Sequence, residues 1–448
     1  GGGGGLGGGA SAQSLVLAIP VDPAGNQVGL AVSGATGGSG GGGGDGSTAQ
    51  FYLTQGSKIT TYGQGSGGVL AQSIGGGGGA GGDSSANASV LGYDAPNKID
   101  PPDDAGVMGE GEASSLAVTV AYTVGGNGGS GGDGGEVLAA LGGAINSTGV
   151  FTNDPAGSAP TSITTYGDYA NGMTAQSIGG GGGDAGFGAG NTQSFGTGSS
   201  TSISVTLGSQ GGAGGDGGQI YAFVGPGDGI TTWGSGSAGL LAQSIGGGGG
   251  TSQGGSISLA QTVSVTNSVT VKPSMTVNLG ASSNSNGGKG GNLNIDIGAP
   301  IITHGGDAVG VLAQSIGGGG GTGGSAGSDG SADNPIVESN NGLAGREFSS
   351  EVASALENYF SDENPDIPSI DTSFGVSIGG EGAQGGTGGN VGIVVSAPIT
   401  TSGDWSSGIL AQSVGGGGGK GGEKFVRALG ADEHARAAGG EGAVERGV

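Results

Sequence analysis

The chain has 448 residues, of which 122 are glycine, ten are lysine or arginine and 35 are aspartate or glutamate, giving a formal net charge of −25. That balance disfavours DNA, RNA or an anionic membrane surface as a partner. With no cysteine, disulfides and thiolate metal sites are excluded, no apolar run approaches the ~18 residues of a membrane-spanning helix, and collagen is excluded because no strict third-position glycine period runs through the chain.

In chain order, Gly1 to Gly5 followed by Leu6 reads as the tail of a repeat, and the start at Gly1 without a charged-then-apolar leader reads as an excerpt or a mature fragment. A loose GGxGG element ends at Asp45, and the first copy of a 21-residue motif, ITTYGQGSGGVLAQSIGGGGG, fills residues 59–79. Leu116, Val118, Val120, Tyr122 and Val124 then alternate, as half-buried strands do. A second GGxGG element ends at Asp133, and ITTYGDYANGMTAQSIGGGGG follows at 163–183. The same order returns with Ile203, Val205 and Leu207, then Asp216, then ITTWGSGSAGLLAQSIGGGGG at 230–250. Val263, Val265, Val269, Val271, Val277 and Leu279 lead to Asn292 and to IITHGGDAVGVLAQSIGGGGG at 301–321. Phe348, Val352, Leu356, Tyr359 and Phe360 recur at helical spacing, so a short inserted helix is expected at about 343–369. After Asn390 comes ITTSGDWSSGILAQSVGGGGG at 399–419, and 423–448 is a tail that matches no repeat, expected to be truncated or disordered.

Five copies that keep 21 positions without a gap predict one conformation for all of them. Twenty-one residues is about one turn of a parallel β-solenoid. The expected fold is therefore all-β: an elongated parallel β-helix over residues 1–422 with glycine-rich turns and one short inserted helix. At ~20–25 residues per rung this predicts roughly 18–20 rungs stacked ~4.8 Å apart. Glycine and Asn/Asp are expected at corners of positive φ. Each glycine in regular structure is about 0.5–1 kcal/mol less favourable than alanine, so tracts fixed at five glycines are expected to be ordered and required, with a Cβ excluded by positive φ or close chain approach. Gln72, Gln176, Gln243, Gln314 and Gln412 are in phase with Leu70 and Ile74 and their equivalents. A straight strand would point these amides inward, where they need hydrogen-bond partners; the preferred reading is that they have them, the other that the strand bends at Ala-Gln.

The wording ITT-x-G-(x)4-G-(V/L/I)-L-AQSIGGGGG, alternating with GGxGG(D/N), resembles the repetitive passenger region of large bacterial autotransporters, the type V secreted surface proteins. The resemblance spans about residues 1–422. It implies a parallel β-helix exported through an outer-membrane barrel, a location at the bacterial cell surface, and host-cell, neighbouring-cell or matrix molecules as partners. The barrel belongs to the full-length protein, and no series of membrane strands follows Lys420 here.

Chemistry is sparse. His304 and His434 are the two histidines, and His304 fills the motif slot of Tyr62, Tyr166 and Trp233, which reads as a flat side chain on the surface before a catalytic base. Gly196-Thr197-Gly198-Ser199-Ser200 resembles a nucleophile turn without a base to serve it. The glycine runs, followed by Ala80, Asp184, Thr251, Thr322 or Lys420, have no helix behind them to cradle phosphate. The GGxGGD segments resemble half of a calcium nonapeptide but stand alone, so solvated turn aspartates are the preferred reading. Asp103 and Asp104 after Pro101-Pro102 are expected to decorate a loop before they cleave a sugar. No catalytic, cofactor or metal residue is therefore nominated. The expected function is a non-enzymatic surface passenger for adhesion, biofilm contact or spacing. Its rivals are a glycine-rich structural or disordered protein of polyglycine-like helices and a polysaccharide-cleaving β-helix enzyme.

Overall fold

The computed structural model describes residues 1–18, 27–54, 56–92, 115–146, 148–155, 157–195, 199–263, 271–326, 370–422 and 428–429. Among these the regular elements are all strands and the large sheets are parallel. The segment 343–369, expected to be helical, lies outside the described residues.

Among the described residues each of the five repeats contributes one strand to each of four sheets, and four of the five contribute one to a further sheet. The motif's second half forms the first sheet, Val69–Ile74, Met173–Ile178, Leu240–Ile245, Val311–Ile316 and Ile409–Val414, with equivalent residues facing each other. Its first half forms the second sheet, Lys58–Thr61, Ser162–Thr165, Gly229–Thr232, Ile301–Thr303 and Ile399–Thr401, again in register. A third sheet holds Ala49–Leu53, Val137–Leu141, Ile220–Val224, Leu293–Ile297 and Val391–Val395. These three sheets enclose the main apolar core, which includes Ile163, Ile230, Ile301, Leu240, Ala242, Ile220 and Leu293.

Two longer sheets face each other elsewhere in the repeat. The fourth contains Ala10–Ala18, Ser84–Gly92, Gly188–Phe195 and Gly255–Val263. The fifth contains Gln27–Thr36, Ser115–Val124, Ser199–Leu207, Val271–Leu279 and Ile370–Ile378, closed by an antiparallel pairing of Ala428–Leu429 from the tail. Between them lie small side chains such as Ala31, Ala35, Ala86, Ala88, Ala117 and Ala121, with buried Thr119, Ser202 and Thr206. The alternating segments 116–124, 203–207 and 277–279 are strands as expected, yet their larger apolar residues point away from this interior.

The spacing of layers departs from the expected one. Adjacent copies in a sheet are 104, 67, 71 and 98 residues apart, so a layer takes a whole repeat and not 21 residues. Five copies give five layers instead of 18–20 rungs, a stack of roughly 20–25 Å at ~4.8 Å each. The motif supplies two sides of its layer, and the spacer supplies the rest. The longer spacer between Asp133 and Ile163 is used by a small hairpin, Gly143–Ile145 with Phe151–Asn153, that covers Leu138, Ala140 and Phe223 of the third sheet.

Single glycines between strands, such as Gly142 and Gly227, have the positive φ expected of corners, but the glycine tracts are not turns, which corrects the expectation that they form the corners. Gly76, Gly79 and Gly82 donate to the carbonyls of Gly44, Gly41 and Gly38, all at 2.8 Å, so tracts 75–83 and 37–45 run antiparallel and meet every third residue. Gly78 donates to Gly181 and Gly81 to Asp184, binding the tract to the parallel tract of the next repeat. A three-residue period with every bond going to a neighbouring chain is the habit of an extended, polyproline-II-like helix. Such helices from six motif-side tracts, counting residues 1–9, alternate with five from the spacers to form a double layer between the apolar core and the outer sheets. No glycine in the motif's five-glycine tracts has positive φ. Close approach alone excludes side chains: a Cβ on Gly247 would fall on the Gly180 carbonyl, and one on Gly250 on that of Gly183, whereas one on Gly248 would meet nothing nearer than 3.9 Å. Two residues in three are thus confined, and the third faces outward.

Candidate interaction surface on the motif sheet

Most fixed letters of the motif have a structural task. The second threonine donates its hydroxyl to the carbonyl five residues on, Thr165 to Ala170 at 2.6 Å, Thr232 to Ser237 at 2.9 Å and Thr303 to Ala308 at 2.8 Å, which ties down the following turn. That turn holds one residue of positive φ at the same position in every copy: Gly65, Tyr169, Gly236, Asp307 and Trp405. The glycine before the second strand lies against the first isoleucine of the next copy, so that a Cβ on Gly172 would strike Ile230 and one on Gly239 would strike Ile301. A side chain there would push adjacent layers apart.

In the second strand Val69, Ala71 and Ser73 face inward while Leu70, Gln72 and Ile74 face outward. The phase relation read from the sequence is right, but the face is reversed. Leu70 is 63% exposed, and the glutamines lie on the same outer face. They form a ladder in which Gln72 Nε2 donates to Gln176 Oε1 at 3.0 Å, Gln176 to Gln243 at 2.7 Å, Gln243 to Gln314 at 2.6 Å and Gln314 to Gln412 at 2.6 Å. Strand pairing in register puts identical amides one strand apart, and each then satisfies the next. The inward slot goes to serine. Ser177 Oγ donates to Gly135 O and accepts from Gly218 N, and Ser244 Oγ donates to Gly218 O and accepts from Gly291 N, all at 2.8 Å. This spine fastens the motif sheet to the glycine layer.

Other positions also become columns. Tyr62 stacks on Tyr166 with ring centroids 5.0 Å apart, Tyr166 on Trp233 at 6.1 Å, and Trp233 on His304 at 3.8 Å. His304 thus occupies a flat-ring slot, its Nδ1 3.2 Å from Ser402 Oγ. Because the rings cover one another's faces, the ladder presents mostly edges to solvent. The aspartates of GGxGGD are not on turns, which corrects that reading. Asp45 Oδ1 accepts from Asp133 N at 2.8 Å, Asp133 Oδ1 from Asp216 N at 2.7 Å, and Asp216 Oδ1 from Lys289 N at 2.7 Å. An outward N–H of each tract is capped by the carboxylate of the tract before it.

The residues weighed for chemistry are not brought together. Asp103, Asp104, residues 196–198 and His434 lie outside the described residues, and Ser200 is buried on the strand Ser199–Leu207. Among the described residues no cluster of three or more His, Asp or Glu could hold a metal, no helix follows a glycine run, and no helix is long and apolar enough to cross a membrane. An open depression lined by Asp216, Lys289, Thr387 and Asn390 lies over the spacer tracts. Asp228 is held above its usual carboxyl range: burial raises it, with the Asp154 charge adding, against the lowering effect of the Thr161 N–H, which donates to its Oδ1 at 2.6 Å. It closes the turn between the third and second sheets.

No family model matches the chain, and no curated protein or solved structure matches it either.

Proposed function

We propose that the chain is a non-enzymatic display region, a β-solenoid passenger of the autotransporter type that carries ordered side-chain columns at a bacterial surface for adhesion, biofilm contact or spacing. The observation that supports this reading is the multiplication of each motif position into a column. The glutamine ladder, the aromatic ladder and the Leu and Ile columns beside them repeat at one layer spacing. Columns of this kind suit contact with an extended, repetitive partner such as a matrix polymer or a neighbouring cell's coat. The glycine double layer supports a second reading, a structural material of polyglycine-like helices in which the columns only hold the stack together.

Fusing residues 1–448 to an outer-membrane barrel in a laboratory bacterium tests the choice. Display should leave a folded, protease-accessible passenger that increases adhesion to cells or matrix, and replacing Gln72, Gln176, Gln243, Gln314 and Gln412 by serine should reduce it. Display without any gain in adhesion would favour the structural reading. Turnover of acidic polysaccharides by the purified chain would overturn both.

A further inference from the structure

The fifth sheet has its larger apolar side chains on the outside. Val28, Leu30 and Val32 are 76%, 57% and 59% exposed, whereas the inward positions beside them are Gly29, Ala31 and Ser33. On the next strand Leu116, Val118, Val120, Tyr122 and Val124 point out and Ala117, Thr119, Ala121 and Thr123 point in. Ile203, Val205 and Leu207, then Met275, Val277 and Leu279, continue the same columns, and Ile378 ends one of them. The strands Gln27–Thr36, Ser115–Val124 and Ser199–Leu207 carry no charged residue, within a chain whose net charge is −25.

We propose that this face is a self-association surface, on which a second copy of the chain seats its own fifth sheet about a two-fold axis. Size is the first argument. Strands of nine or ten residues, at ~3.3 Å per residue, across five strands at ~4.8 Å make a face of about 30 by 24 Å, roughly 700 Å² per copy. A pair would bury about 1,400 Å², inside the ~1,200–2,000 Å² of stable interfaces, and the face exceeds the ~300–600 Å² of the largest patch on an ordinary monomer. Shape is the second. A broad sheet of branched side chains is matched by another such sheet packed ~10 Å away, and a two-fold contact supplies it from the same residues. Charge is the third: the apolar columns contain no charged residue, Lys272 and Asp371 standing opposite each other in the strand register and out of phase with them, so two chains this acidic can meet here without pairing like charges. The surrounding repulsion gives the pairing a signature: it tightens as salt screens it.

Sedimentation velocity on the full chain between 1 and 100 µM, at 50 and 500 mM NaCl, tests this. A dimer of twice 41.2 kDa is expected, with the dissociation constant several-fold lower at high salt. The pair Val120→Thr and Val205→Thr keeps β-branched shape and should weaken association at least ten-fold with an unchanged circular dichroism spectrum, while Gln243→Ala should not alter it. Since the chain has no cysteine, a nitroxide on Met275→Cys gives a readout independent of those variants and should lose mobility as concentration rises. A monomer throughout the range would overturn the proposal. So would a dimer indifferent to the threonine pair, or a monomer that instead binds phosphatidylcholine vesicles through this face.

Discussion

Serine and glutamine stand side by side in every copy of the motif, yet their surroundings assign them different weights. Ser244 Oγ is buried and serves two backbone groups of adjacent tracts, Gly218 O and Gly291 N. Ser244→Ala leaves both without that partner and should cost about 1–3 kcal/mol, the desolvation penalty of unsatisfied buried groups. Gln243 is half-exposed with water within reach, so Gln243→Ala should cost about 0.5–1 kcal/mol. Chemical denaturation of the two variants checks the order, and equal costs would mean that the spine is not fastening the layers. Asp228 gives a prediction in pH. Its folded-state pKa is raised by burial, so its contribution favours the fold below the unfolded value of about 3.9 and is lost as pH rises through the folded value. Asp228→Asn keeps an oxygen for the Thr161 N–H and removes the charge. The variant should therefore unfold at a higher temperature than the parent at pH 7, and the gap should close at pH 3.5. A constant gap across that range would trace the effect to packing.

The extended tracts behave as elements with a period of their own. Gly246 and Gly249 donate to the next repeat in the same layer, Gly247 and Gly250 donate across to the facing layer, and Gly248 faces out. Alanine at 246, 247, 249 or 250 should each lower the unfolding midpoint, because the neighbouring carbonyl must move by an ångström or more. Alanine at 248 should be neutral or slightly stabilising through the entropy of the unfolded chain. A flat profile across the five positions would identify the tract as a slack linker. This period was within reach of the sequence. Residues 125–136 read G-G-N, G-G-S, G-G-D, G-G-E, and 75–83 read G-G-G, G-G-A, G-G-D, a third-position pattern hidden by testing for it along the whole chain. Strand positions and the equivalence of the five copies were legible, because both follow from local alternation and repeated wording. The outward Gln, Leu and Ile were not. Alternation fixes which residues share a face but not which face meets the core, and here inward space near the glycine layer is so narrow that it takes Ala and Ser and sends the larger side chains outside.

At the scale of the molecule, stability should be a sum over layers, since each repeat touches its neighbours through strands and tracts that are nearly interchangeable. Removing residues 230–300 joins Gly229 directly to Ile301 and takes away one strand from each of the five sheets and one tract from each glycine layer. The new neighbours are already matched. Gly172, which lies against Ile230, would lie against Ile301, a residue of the same type already held against Gly239. Gln176 would pair with Gln314, continuing the ladder, Ser177 would keep Gly218 N, and Ser315 Oγ, deprived of Gly291 O, would donate to Gly218 O as Ser244 Oγ does now. Trp233 would be lost from between Tyr166 and His304, but the remaining rings are flat and would stack directly. The shortened chain should therefore fold, keep its strand signal per residue, and unfold cooperatively with a denaturant slope reduced roughly in proportion to the residues removed. A deletion that starts elsewhere in the repeat but keeps the same phase, residues 240–310, has the same length, joins the turn at Gly239 to Val311, the register equivalent of Leu240, and discards the first strand of a different copy. It should also fold, because the same number of layers survives in the same order. Deleting only the 21 motif residues 230–250 should not, since it strips two sides from one layer and leaves its spacer strands without the core that Ile230, Leu240 and Ala242 complete. If the motif-only deletion proved as stable as the whole-repeat deletion, the 21-residue unit would be the independent rung after all, and the layer would not be the repeat.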